Sequence, residues 1–193
     1  MTSTDRLLGL IQDTPGIADL LRSSFEFDIT RKEPGEAVLL ASGVSLEGIA
    51  GDWSGGTFFL CRDDGGRRPV VFASSEGQAG LIADDLTAAL EIIIGVAWRD
   101  CLTFSGGGSV QAMQASAAHR ENALANVGPE IAEHRARVAA ALSLCLAPVT
   151  ELVARLQEAV SRTEPNYVVV TESGDAYESL FGTFLAPRGG GWL

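Results

Sequence analysis

Apolar positions recur along this chain in two rhythms. Near the N-terminus the spacing is helical. Leu7, Leu8, Leu10 and Ile11 follow Thr4 and Asp5, either of which can cap a short helix. Ile17, Leu20 and Leu21 follow Thr14-Pro15, a threonine cap with proline at the first helical position. Phe25, Phe27 and Ile29 then alternate with polar residues and predict a short strand. Glu33-Pro34-Gly35 reads as a turn, and 37–41 as a second strand, broken by Ser42-Gly43.

The stretch 48–94 organises the rest. Extended runs at 46–50, 57–61 and 69–73 are separated by Asp52-Trp53-Ser54-Gly55-Gly56 and by Asp63-Asp64-Gly65-Gly66. Paired glycines supply the positive φ that tight hairpin turns demand. Residues 74–80 form a third turn and 81–83 a short extended piece. Asp84 and Asp85 then sit where an N-cap and a first-turn acid belong, and Leu86, Ala89, Leu90 and Ile93 fall on one helical face that Ile94 widens. Gly95 ends that helix. The tract 98–104 is apolar enough to be buried, and 105–109 (SGGGS) is a loop or hinge.

Beyond Ser109 helices dominate. Residues 110–126 predict one with a thin apolar face. Pro129 starts another, whose seam is Ile131, Val138, Leu142 and Cys145. After Pro148 comes a strong stripe of Val149, Leu152, Val153, Leu156 and Val160. The tract 167–171 is a strand by its β-branched content, 176–181 a short helix ended by Gly182, and 186–193 a mobile tail. The fold class is therefore α+β: a small antiparallel sheet flanked by helices, with a helical C-terminal extension. Residues 1–104 form the core, and 105–193 pack on it as part of one domain.

Charge narrows the function classes. The chain has 193 residues, 46% of them hydrophobic, and a formal net charge of −11. Residues 1–104 carry eight basic and sixteen acidic side chains, residues 105–193 six and nine. No basic patch is visible, which argues against nucleic acid as a partner. A negative face suits a basic protein partner, although many acidic proteins are so for solubility alone. The longest apolar run, near 88–97, is interrupted by Glu91 and Gly95 and is too short to span a bilayer. No basic region precedes a long apolar run at the N-terminus, so no signal peptide is expected. Cys61, Cys101 and Cys145 are too widely spaced for a disulfide framework or a metal site and are expected as buried thiols, which suits a reducing cytoplasm.

Few residues offer chemistry. His119 and His134 lie on predicted helices with no partner at metal spacing, and surface positions explain them. The glycine clusters lack phosphate-loop spacing, and the sole lysine, Lys32, is elsewhere. Asp84 and Asp85 read as helix caps. Asp52, Asp63, Asp64 and Glu76 recur at loop ends of the proposed sheet, either as solvated turn residues or as an acidic rim facing a basic partner. Trp53, in a polar turn, is either a lid folded onto the core or an exposed binding anchor. No nucleophile–base set is visible, so no enzyme, cofactor or metal is expected.

The order of signals from Leu46 to Ile94 resembles the SUKH superfamily, the Smi/Knr-like domains. The resemblance lies in a strand ending in Ala50-Gly51, an acidic glycine turn at 52–56, strands at 57–61 and 69–73, the small-plus-acidic turn Ser74-Ser75-Glu76-Gly77, and a last strand running into a helix at Ile82-Ala83-Asp84-Asp85-Leu86. It implies an immunity protein of the bacterial type, a toxin inhibitor that occludes a cognate basic, nuclease-like toxin without catalysis. On that reading the partner-binding residues are Asp52, Trp53, Asp63, Asp64 and Glu76. The other reading is an intracellular adaptor that forms a homo-oligomer or a complex through the stripe at 149–160.

Overall fold

The apolar run behind Asp85 becomes the centre of the molecule. The computed structural model describes residues 3–62 and 68–182. In it, α3 (Leu86–Gly95) starts on Asp85, whose side chain accepts the Ala88 N–H at 2.8 Å. All of Leu86, Ala89, Leu90, Glu91, Ile92, Ile93 and Ile94 are buried. One apolar face was expected; a helix apolar nearly all round belongs in a core. Here α1 (Ser3–Gln12), α2 (Pro15–Phe25), α6 (Glu130–Leu142), α7 (Val149–Ser161) and the sheet surround it.

The sheet is the expected meander with one addition. Strands β2 (Leu46–Gly51), β3 (Thr57–Cys61), β4 (Val70–Ala73) and β5 (Gln78–Ala83) pair antiparallel in sequence order, and β7 (Glu178–Ser179) joins β5 in parallel. Phe58 stands opposite Phe72, and Phe59 opposite Val71. Side chains alternate across the sheet. Phe58, Leu60, Phe72 and Ile82 face the helices, while Phe59, Cys61, Val71 and Leu81 face a second cluster with Leu40, Ala159 and Val169. That second layer is a ribbon of β1 (Val38–Leu40) and β6 (Val169–Thr171), paired antiparallel. With both faces covered, β3 and β4 are buried at every position, so they read as unbroken apolar runs.

The C-terminal tract is built into this core. α4 (Trp98–Thr103) and α5 (Val110–Val127) pack together, and Leu152, Val153 and Leu156 of α7 are fully enclosed by the same chain. The stripe expected as an oligomer seam is thus covered intramolecularly.

Three local expectations are corrected. Phe25 closes α2 rather than opening a strand: Glu26 takes a left-handed conformation (φ 54°), and only Asp28 bridges to Gly51. Residues 176–181 do not form a helix. A segment this short gains little from helical nucleation, and Glu178 N–H instead donates to Gly77 O at 2.8 Å. α6 ends at Leu142 with Ser143 left-handed (φ 54°), so Cys145 leaves the seam and is exposed, while Cys61 and Cys101 are buried. Among the described residues no helix is long and apolar enough to cross a membrane.

Glycines let the 28–32 segment lie against β2. A Cβ on Gly48 would stand 2.1 Å from the Lys32 carbonyl oxygen, and one on Gly51 2.6 Å from that of Arg31. Backbone cannot give way as a side-chain tip can. Gly48→Ala is therefore expected to destabilise the fold by about 1–3 kcal/mol, read as a lower urea midpoint. An unchanged midpoint would show that the segment is not held there.

Candidate functional site

Two turns meet at one end of the sheet. The β2–β3 turn is organised by Asp52, whose side chain is completely buried. Its Oδ1 accepts the Gly56 N–H (2.8 Å) and the Ser54 hydroxyl (2.9 Å), while its own N–H donates to Gly56 O at 3.0 Å. Its Oδ2 accepts from Arg99 Nη2 of α4. A Cβ on Gly56 would stand 2.5 Å from the Phe72 ring and 2.6 Å from Asp52 Oδ2, so only glycine fits. Asp52 was expected on a solvated rim. It is instead the internal anchor of the turn, because three donors, the Gly56 N–H, the Ser54 hydroxyl and Arg99 Nη2, replace its hydration.

Arg99 ties that anchor to the helices. Its guanidinium lies 4.9 Å from the Trp98 ring centroid and 5.1 Å from that of Phe72. Glu26 Oε2 stands 3.2 Å from Nε, but off the N–H line, so the contact is an ion pair and Nε has no hydrogen-bond acceptor. Burial lowers the affinity of Arg99 for its proton, and Glu26 partly restores it. Behind it Phe27, Phe58, Phe72 and Trp98 form a continuous tilted and edge-on aromatic cluster.

The second turn, 74–77, is latched to the first. Ser74 Oγ accepts the N–H groups of Glu76 (3.3 Å) and Gln78 (3.1 Å), and the Ser75 hydroxyl donates to Ser54 O at 2.8 Å. On this braced ridge Trp53 is 60% exposed. It is not a lid on the core. Glu76 is exposed beside it. Asp63 and Asp64 lie outside the described residues. The strand ends that flank them, Cys61 and Val70, are at the far end of the sheet from the Trp53 turn. Of the five residues expected to share one surface, the three described ones are thus a buried anchor, Asp52, and an exposed pair, Trp53 and Glu76.

Grooves flank the ridge. One of 270 Å³ lies towards α4 and is lined by Phe72, Trp98, Leu102, Phe181, Arg99 and Glu76. Another of 260 Å³ lies on the other side, against Glu36, Phe59 and Tyr177. The Tyr177 hydroxyl donates to Glu36 Oε2 at 3.3 Å. None of Arg99, Glu36 and Tyr177 had been singled out from the sequence. Arg99 carried the one usable signal, a charge inside the apolar tract 98–104.

Elsewhere the structure brings together Ser24 and His134, with Oγ 2.9 Å from Nδ1, and Ser24 lines a 240 Å³ cavity that also meets Arg99, Arg120 and Arg135. His134 is half-buried rather than on the open surface. Each arginine there is paired: Arg99 with Asp52 and Glu26, Arg120 with Asp100, Arg135 with Glu121. Among the described residues no third group orients the second nitrogen of His134, and no three His, Cys, Asp or Glu side chains stand in metal-binding range. Comparison of the chain with family models, curated proteins and solved structures finds no match.

Two predictions follow from this geometry. Asp52→Ala leaves Arg99 and the Gly56 N–H without their acceptor. It should cost about 3 kcal/mol, the low end for a broken buried ion pair because Arg99 is a third exposed, as read by urea denaturation. A cost under about 1 kcal/mol would mean that the turn holds without it. Among the thiols, Cys145 should alkylate in the native protein at pH 8. Cys101, pushed up to about 12 first by burial and then by Asp100, should react only after denaturation. Mass-spectrometric mapping of iodoacetamide adducts separates these outcomes, and native labelling of Cys101 would contradict the packing of α4.

Proposed function

We propose that this chain is a non-enzymatic protein-binding module of the SUKH-like immunity type, which occludes a cognate basic, nuclease-like toxin in the bacterial cytoplasm. The observation that carries the reading is Trp53, a large aromatic held in water on a turn braced from three sides. Exposed tryptophans on rigid supports are the residues around which protein interfaces concentrate their binding energy. A braced turn also loses little conformational freedom on association.

Other features support it. The meander of β2 to β5 running into α3 has the element order on which the family resemblance rests. The net charge of −11 favours association with a basic surface and disfavours nucleic acid. Glu76 stands on the same ridge as Trp53, so an acidic contact and an aromatic contact are offered together. The adaptor reading has no comparable observation, because Leu152, Val153 and Leu156 are enclosed within the chain.

The test is co-expression with the products of neighbouring genes, scored by complex formation and by rescue of growth. A partner should be captured, and Trp53→Ala should weaken it by about 2 kcal/mol or more, roughly thirtyfold, with the melting temperature unchanged. Equal affinity of the variant would remove Trp53 from the interface. Neither a complex nor rescue with any neighbour would end the immunity reading.

A further inference from the structure

The groove between the Trp53 ridge and the β1–β6 ribbon has an uneven chemistry. Its 260 Å³ are lined by the carboxylate of Glu36, the phenol of Tyr177, the hydroxyls of Thr57, Ser74 and Ser75, and the Phe59 ring at its base. No cation lines it. Among the described residues Glu36 has a hydrogen bond from Tyr177 and no ion-pair partner. The α4-side groove differs, since Arg99 lines it with its charge committed to Asp52 and Glu26. Arg31 and Lys32 run beside β2 and line neither groove.

An uncompensated carboxylate, oxygen acceptors and an aromatic ring around one concavity are complementary to a cation with an apolar stem. Carboxylate oxygens receive a guanidinium through paired N–H donors, and a ring face attracts the same group. An anion would meet Glu36 with no cation to offset it. We propose that this groove seats an arginine or lysine side chain of a partner protein, with Glu36 as its counter-ion and Tyr177 against its stem. The inference rests on reading this sheet end as a protein-binding surface, and it adds which partner chemistry that surface selects. Gly55 lines the groove and is two residues from Trp53, so one partner segment can engage both. The phenol of Tyr177 is held protonated to higher pH, first by burial and then by the Glu36 charge beside it.

Titration of the whole chain with N-acetyl-arginine amide, followed by amide chemical shifts, tests this directly. Saturable shifts are expected for Glu36, Gly55, Ser75 and Tyr177, and not with N-acetyl-citrulline amide, which has the same shape without the charge. Glu36→Gln should weaken the arginine response roughly threefold to fivefold, the scale of a solvent-accessible ion pair. Trp53→Ala should leave it unchanged. An equal response to citrulline, shifts that map elsewhere, no saturable shift, or an unaffected Glu36→Gln would each overturn the proposal. If arginine binding fails while capture of a protein partner still depends on Trp53, the protein-binding reading stands and only the basic-side-chain assignment falls.

Discussion

The contact between Asp52 and Arg99 joins three parts of the molecule that share no sequence neighbourhood. Removing a carboxylate from water costs several kcal/mol, and a single ion pair does not reliably repay it. Here the carboxylate also takes the Gly56 N–H and the Ser54 hydroxyl, so three donors together replace its hydration. Arg99 spans the gap between the β2–β3 turn and α4, and its second carboxylate, Glu26, belongs to the left-handed residue that closes α2. The sheet end, the C-terminal end of α2 and the start of α4 are therefore positioned by one guanidinium.

This arrangement defines geometry more than it adds stability. The aromatic cluster of Phe27, Phe58, Phe72 and Trp98 would bury its area in several packings. Arg99 selects one of them, because its charge must reach Asp52 while its plane covers two rings. Gly56 is part of the same selection: the space a Cβ would need is occupied by Phe72 and by the Asp52 carboxylate. The 74–77 turn then inherits its place through the Ser75–Ser54 hydrogen bond. Rigidity passes from a buried ion pair to a surface ridge by hydrogen bonds between 2.8 and 2.9 Å long.

Local chemistry was legible in the sequence wherever a short window carried it. β3 runs over Thr57–Cys61 as the glycine turn before it demands, and α3 begins behind Asp85, which caps it. The stripe on α7 announced that a face is buried, but a stripe does not say against what; the answer is α5, β5 and α3, which come from separate parts of the sequence. The same limit explains Asp52. A carboxylate in a glycine turn looks solvated until a cation 47 residues later is placed against it. It also explains Glu36 and Tyr177, 141 residues apart, which meet only because β6 pairs with β1. The 176–181 segment failed for a related reason: β5 offered an edge that outweighed a weak helical preference.

Two tryptophans show what the fold leaves undone. Trp98 is 4% exposed and stacks in the core; Trp53 is 60% exposed on the ridge. A tryptophan can bury about 200 Å², so at about 25 cal/mol per Å² the position of Trp53 leaves about 3 kcal/mol of hydrophobic stabilisation unrealised within this chain. Flexible turns commonly recover such energy by folding the ring back. Here the ring points outward on a turn held by the Asp52–Arg99 contact and the Ser75–Ser54 hydrogen bond. What this chain forgoes there would be available to a partner that covered the ridge, with little ordering cost to subtract. An exposed ring and a turn held by hydrogen bonds thus meet at one place, next to a groove in which, among the described residues, Glu36 has no cation beside it.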